Sequence, residues 1–403
     1  MKFASSRLDP VKPSASAWVS QAAKEAKVRG EDVIDLGLGE PDFDTPAHII
    51  EAAHEAALRG ETRYPPTGGT LEMRRAVVDK LARENNLSYA TDEVIVSNGA
   101  KQVLFNAMMA TLEQGDEVLM CAPYFGQYKD IVLILGGQAV ALKCPAENGF
   151  RLAPAQLEAA ITTKTRWVML NLPSNPAGAV YSDEDLRALG AILENHPHVL
   201  ILSDEIYEHI LFDGRTFLSF AAANPLLKGR TLTVNGVSKA YAMTGWRIGY
   251  GAGPRPLIAA MTKVQSQICS GACAIAQAAA ATALNGPQDD VRRFCAAFEE
   301  RRDLVVDRIS QIDGLTLDPP GGAFYGLIGC AYLIGAQTVD GDTLTDDAEI
   351  TAYILNDAGI AAVPGSAYEL SPFFRISTAA STDVLRQAMD RIATSVAKLK
   401  RKT

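Results

Sequence analysis

The 403-residue chain has little of what marks several large classes of protein. Its six cysteines, at 121, 144, 269, 273, 295 and 330, include no C-x-x-C pair, and its five histidines show no metal-ligand spacing. This excludes a disulfide-rich scaffold and predicts reduced thiols in a cytoplasmic protein without a metal. No apolar run reaches the ~18–20 residues of a membrane helix, so no membrane association is expected. The first residues carry Arg7, Asp9 and Lys12 without an apolar stretch, so no secretory signal is read. Basic residues are outnumbered by acidic ones, 38 to 47, for a net charge of −9. A nucleic-acid partner usually demands the opposite balance. The one basic cluster, residues 398–402, reads as a frayed, solvated helix end. Repeats and low-complexity linkers are absent.

What remains is an ordinary globular composition, 48% hydrophobic and 21% charged. The length predicts two domains at ~100–200 residues each. From residue 93 strands and helices alternate. Residues 93–97 (EVIVS), 117–121 (EVLMC), 167–172 (WVMLNL), 199–203 (VLILS), 231–234 and 247–251 read as short strands. Nearly continuous apolar runs suit parallel strands covered on both faces. Helices are expected over 102–112 and 182–194, the second capped by Ser182 with Glu184 and Asp185 in its first turn. Ahead of the sheet lies an arm with a helix over 15–29. Behind it come a charged helix over 291–312, strand-like pieces at 323–328 and 373–377, and a final helix from Thr382. The simplest reading is α/β: a large domain with a mostly parallel sheet over 46–290, and a smaller one from residues 1–45 and 291–403. In such sheets ligands lie at the carboxyl ends of the strands.

The chemistry concentrates there. Lys239 follows an apolar strand, between Ser238 and Ala240, and Arg247 stands eight residues on between small neighbours. A lysine in a desolvated cleft has a lowered pKa and attacks aldehydes. An arginine beside glycines suits a phosphate. Asp204 ends an apolar strand and could keep a pyridine nitrogen protonated, with Tyr207 donating to the ring's phenolic oxygen. Asn175 sits in a double-proline turn at the same edge. At 97–101 (SNGAK) a strand runs directly into a helix whose N–H groups form an anion site. Taken singly, each has a plain structural explanation: a surface lysine, a strand-end aspartate, a turn asparagine.

Together, 37–46 (GLGEPDFDTP), 63–69 (RYPPTGG), 97–102 (SNGAKQ), 171–178 (NLPSNPAG), 203–209 (SDEIYEH), 238–250 (SKAYAMTGWRIGY) and 374–377 (FRIS) resemble the class I pyridoxal-phosphate-dependent aminotransferases, especially the bacterial aspartate and prephenate branch. The resemblance implies the type I fold of pyridoxal-phosphate enzymes and transfer of an amino group from an L-amino acid, aspartate or glutamate, to 2-oxoglutarate or oxaloacetate by a ping-pong mechanism. It also implies the roles. Lys239 binds pyridoxal 5′-phosphate covalently and shuttles a proton; Asp204 partners the ring nitrogen; Tyr207 and Asn175 donate to the phenolic oxygen. Gly99, Ala100, Lys101, Ser238 and Arg247 form the phosphate cup. Tyr64 reaches the neighbouring subunit's phosphate, which implies a homodimer with shared sites. Arg375 and the backbone of Gly39 hold the substrate α-carboxylate, and Lys12 and Lys101 its distal carboxylate. Phe125 takes the ring-stacking position where tryptophan is common, and residues 266–274 (SQICSGACA) depart from the polar version expected of aspartate-specific relatives. A lyase, oxidase or cyclase on the same fold, or an aromatic or prephenate aminotransferase, is the alternative.

Overall fold

The structure, a computed structural model, describes residues 3–401. Its strands are β1 (Ile34–Asp35), β2 (Val94–Ser97), β3 (Glu117–Ala122), β4 (Gln138–Lys143), β5 (Thr165–Asn171), β6 (Leu200–Asp204), β7 (Thr231–Gly236), β8 (Gly249–Ala252), β9 (Tyr325–Gly329), β10 (Ile360–Ala361), β11 (Val363–Pro364) and β12 (Phe373–Ser377). Seven of them form one sheet in the order β2-β8-β7-β6-β5-β3-β4. All its pairings are parallel except those of β8, which runs antiparallel to both β7 and β2.

Alternate residues explain why the central strands are apolar throughout. Val118, Met120, Trp167, Met169 and Leu202 enter a core with helices Ala100–Thr111, Gln127–Ile134 and Arg255–Ile268. Their neighbours Leu119, Val168, Leu170 and Ile201 point the other way, onto helix Asp183–Glu194. That helix starts as expected: Ser182 Oγ accepts from Asp185 N at 3.1 Å, and Asp185 returns the contact to Ser182 N at 2.9 Å. Beyond β2, the alanine-rich helix Ala274–Asn285 packs between Ala47–Leu58 and Leu71–Asn85, where the lack of bulk lets backbones approach.

A second sheet, β11-β12-β9, is antiparallel, and β1 pairs in parallel with β10. Ile328, Phe374 and Ile376 share a core with Val305 and Ile309 of helix Asp289–Ser310 and with Leu385, Met389 and Ile392 of helix Thr382–Ala397. The chain thus returns from both ends to one core.

Three local expectations need correction. Edge strand β4 is not among the strands read from sequence: Gln138 and Lys143 are exposed and its apolar signal is diluted. Arg247 is not in a strand; it precedes β8 with φ +57°, a left-handed conformation that no composition signal announces. The basic carboxyl-terminal segment is docked rather than frayed, since Lys398 pairs with Asp357 at 2.8 Å and Lys400 bridges Gln337; Lys402 lies outside the described residues.

Candidate active site

The sheet order brings distant residues to one edge. Because β2, β3, β5, β6 and β7 run the same way, their carboxyl ends coincide with one another and with the amino end of antiparallel β8. Asp204 is the last residue of β6, Lys239 follows β7, Asn175 follows β5, Phe125 follows β3, Gly99 follows β2, and Arg247 precedes β8. A cavity of about 320 Å³ opens there. Its walls include Gly39, Ala100, Lys101, Phe125, Asn175, Asp204, Tyr207, Ser238, Lys239, Arg247 and Arg375.

Lys239 Nζ donates to the Gly39 carbonyl at 2.6 Å. Burial pushes its pKa down to about 8; Arg375 and Arg247 act in the same sense, and Glu40 and Asp204 oppose. Asp204 is 4% exposed, and burial pushes its carboxyl up to about 6 against the hydrogen bonds it accepts. Tyr128 Oη donates to its Oδ2 at 2.6 Å and Ile206 N to its Oδ1 at 3.3 Å.

Gly99 has φ +83°, and a Cβ there would strike the Arg247 guanidinium. Only glycine lets that cation lie against the start of helix Ala100–Thr111, where the Ala100 and Lys101 N–H groups precede the first helical hydrogen bond, from Gln102 N to the Gly99 carbonyl at 3.1 Å. Lys101 stands at the rim with Nζ 5.5 Å from the Phe125 ring centre; partial desolvation of its amine and the nearby Arg247 lower its pKa.

Arg375 on β12 is 1% exposed. Its guanidinium lies between the rings of Tyr325 (4.6 Å) and Tyr368 (5.3 Å) and donates to the Gly37 carbonyl and to Asn175 Oδ1 at 3.2 Å. Its Nε is buried without a hydrogen-bond partner among the described residues. Tyr207 Oη and Tyr325 Oη share a hydrogen bond of 2.8 Å.

Three sequence-selected residues are not part of the cavity wall: Gly99, which lies behind the Arg247 guanidinium, Tyr64 and Lys12. Tyr64 is 93% exposed, and its loop packs at Pro65–Thr67 against Gly271, inside the segment 266–274. Lys12 is exposed on an adjoining groove of about 360 Å³ that shares Ser16 and Phe125 with the cavity. Tyr128 and Tyr325 were not read from sequence. The only signal for the first was its place three residues after Phe125, on one face of a helical turn; for the second, an aromatic pair after Gly321–Gly322.

Behind Asp204 and Tyr207 lies a buried polar cluster. Lys80, fully buried, pairs with Glu208, lies 3.6 Å from Glu84 and donates to Asn85 Oδ1 at 2.7 Å. Burial acts to raise the Glu208 carboxyl, but Lys80 and His209 hold it below its usual value. Glu84, Glu208 and His209 bring ligand atoms within 4.8 Å of one another, with the lysine ammonium as the cation beside both carboxylates. Lys80→Ala leaves Glu208 buried without its charge partner and is expected to cost about 3–5 kcal/mol of stability, checked by denaturant unfolding. A change below about 1 kcal/mol would show that Lys80 is not what anchors this turn.

An α/β sheet with a lysine, a buried carboxylate and two arginines at its carboxyl edge defines a class of enzyme, and the family described as aminotransferase class I and II matches residues 31–392: the chain belongs to it. Its particular relatives are bacterial. The aspartate aminotransferase of Rhizobium meliloti (strain 1021) is 52% identical over 394 residues, covering 98% of this chain and 96% of that one. The aspartate/prephenate aminotransferase of Cereibacter sphaeroides is 48% identical over 97% of this chain and 98% of its own. The crystal structure of the Rhizobium meliloti enzyme superposes with a TM-score of 0.97, covering 99% of this chain and 100% of that one at 52% identity. The Thermus thermophilus aspartate aminotransferase with maleate gives 0.91 at 39% identity, covering 98% and 100%. The fold is accordingly fold type I of the pyridoxal-phosphate enzymes.

Proposed function

We propose that this aminotransferase uses pyridoxal 5′-phosphate to move the amino group of aspartate or glutamate to 2-oxoglutarate or oxaloacetate, in the cytoplasm and as a homodimer with shared sites. The observation that carries the reading is the convergence of Lys239, Asp204, Arg247 and Arg375 on one cavity. The donor set fits the cofactor. Lys101, Lys239, Arg247 and Arg375 outnumber Asp204 and Glu40, which suits a phosphate dianion and substrate carboxylates. The glycine at 99 leaves room for Arg247 beside a helix start, and the buried carboxylate of Asp204 at the end of β6 suits a protonated ring nitrogen. When bound, the cofactor supplies an aldehyde for an amine and a ring that accepts electrons from the substrate Cα.

The protein's part is to bind, orient and move protons. Arg247, Ser238 and the Gly99–Lys101 backbone hold the phosphate; Asp204 holds the proton on the ring nitrogen. Asn175 and Tyr207 would donate to the phenolic oxygen, and Phe125 supplies an aromatic wall of the cavity that would hold the ring. Asn175 already uses its Oδ1 toward Arg375, leaving its amide N–H groups to donate. Arg375, stiffened between two tyrosines, orients the α-carboxylate by a bidentate pair, with the Gly39 backbone beside it. Lys239 then takes the proton from Cα in its neutral form, which its lowered pKa favours. Tyr64 and the exposed positions of 266–274, Ser266, Gln267, Ile268, Ser270 and Cys273, supply the surface toward the second subunit.

Lys101 and Lys12 receive the distal carboxylate. Lys101→Ala is expected to lower kcat/KM for aspartate and glutamate about 10- to 150-fold, the value of a hydrogen bond to a charged group, and to leave alanine and phenylalanine nearly unchanged. Equal losses for acidic and neutral substrates, or a wild type that prefers neutral ones, would overturn the dicarboxylate reading. Amino acid alone should convert the protein once and stop; continued turnover would make it a lyase, oxidase or cyclase instead. The groove past Phe125, lined by Tyr124, Tyr368 and Lys12, favours one further substrate class, a larger acidic side chain of the prephenate kind.

A further inference from the structure

We infer that Tyr128 is the positioning residue that keeps Asp204 ionised and fixed in one orientation toward the cavity. The inference rests on the cofactor reading above and adds a residue to it. A carboxylate at 4% exposure needs donors to remain charged, and Asp204 accepts two: the Tyr128 hydroxyl at 2.6 Å and the Ile206 N–H at 3.3 Å. The first is short, and the second exceeds the ~3.2 Å of a normal N–H···O bond, so Tyr128 carries most of the stabilisation. Burial holds the phenol far above its ordinary titration range, so it remains a donor at every working pH.

The ring is locked as well. It stands edge-on to Phe125 at 5.5 Å, in the core with Ile131, Val132 and Val118. A phenylalanine would meet that packing need, whereas a buried hydroxyl is costly unless paired, and its partner is Asp204. The turn closed by Tyr128 N donating to the Phe125 carbonyl at 2.9 Å thus brings Phe125 to the cavity wall and Tyr128 to the carboxylate. The other groups facing Asp204 are Lys239 beyond β7 and Tyr207 on the same turn, with Tyr325 bonded to Tyr207 and Arg247 and Arg375 across the cavity.

The test is the affinity of ligand-free protein for pyridoxal 5′-phosphate, by equilibrium dialysis across pH, in wild type and Tyr128→Phe. Losing the donor raises the carboxyl's pKa, expected by about one unit, so a proton competes with the cofactor over a wider range. Linkage makes the variant about fivefold weaker near pH 6 and equal to wild type near pH 9. In an Asp204→Asn background, which cannot titrate, the same substitution should lose this pH dependence. A loss of equal size at both pH values would mark a merely structural tyrosine and overturn the inference, as would no loss at all. A wild type that fails to bind the cofactor overturns the cofactor reading and this inference with it; a wild type that binds beside an unaltered variant overturns this inference alone.

Discussion

Replacing Lys239 with alanine is expected to leave the protein folded and to lower turnover by on the order of 10⁴-fold or more. The site is built around the neutral form of this amine. With the pKa near 8, roughly two hundred times more of it is unprotonated at pH 7.5 than for an ordinary lysine. Alanine removes the amine while leaving Arg247, Gly99 and Asp204 untouched, so the phosphate and ring contacts persist. Borohydride reduction of wild type with pyridoxal 5′-phosphate, followed by peptide mapping, should place the label on residue 239, and the variant should carry none there. Labelling of Lys101 in place of Lys239 would defeat the assignment.

The second large effect is expected at Arg375. Arg375→Gln removes a charge whose two parallel hydrogen bonds to a carboxylate are worth about 1.5–3 kcal/mol each, so kcat/KM should fall about 10²- to 10⁴-fold for every amino acid, acidic or neutral. The loss should appear mainly in KM, and Arg375→Lys should recover little, because an ammonium offers no planar fork and stacks poorly between Tyr325 and Tyr368. Steady-state kinetics on both variants, with the Lys239 label as the check on folding, decide it. Undiminished kcat/KM in Arg375→Gln would assign the α-carboxylate to another group.

The pattern of legibility follows from physics. Strands β3, β5, β6 and β7 were readable because a parallel strand buried on both faces has no polar alternation to confuse it with a loop. The edge strand β4 lacked that signature, and the two-residue pair β1–β10 depends on chain segments more than three hundred residues apart. At the site, Lys239, Asp204 and Arg375 stood out because charged residues in apolar surroundings are rare and the resemblance named their neighbours. Tyr128 could not be found in that way. It lies 76 residues from Asp204, and its hydroxyl acquires a purpose only when the packing of helix Gln127–Ile134 brings it to the end of β6. The left-handed Arg247 and Ala242 were equally silent, being consequences of how the 238–247 turn is closed by its neighbours.

The carbonyls of Gly37 and Gly39 already occupy two of the cavity's cations, Arg375 and Lys239. At Arg375 Nη2 an incoming carboxylate must therefore outbid a peptide oxygen, with Nε as the remaining buried donor. A neutral amide or ester brings a dipole much like the one it displaces and gains almost nothing by the exchange. A carboxylate brings a full charge, and charge-assisted hydrogen bonds are roughly twice as strong as neutral ones. The short glycine-flanked segment at 37–39 is thus a built-in competitor that sets a threshold, passing acids and turning away their uncharged derivatives before any chemistry begins.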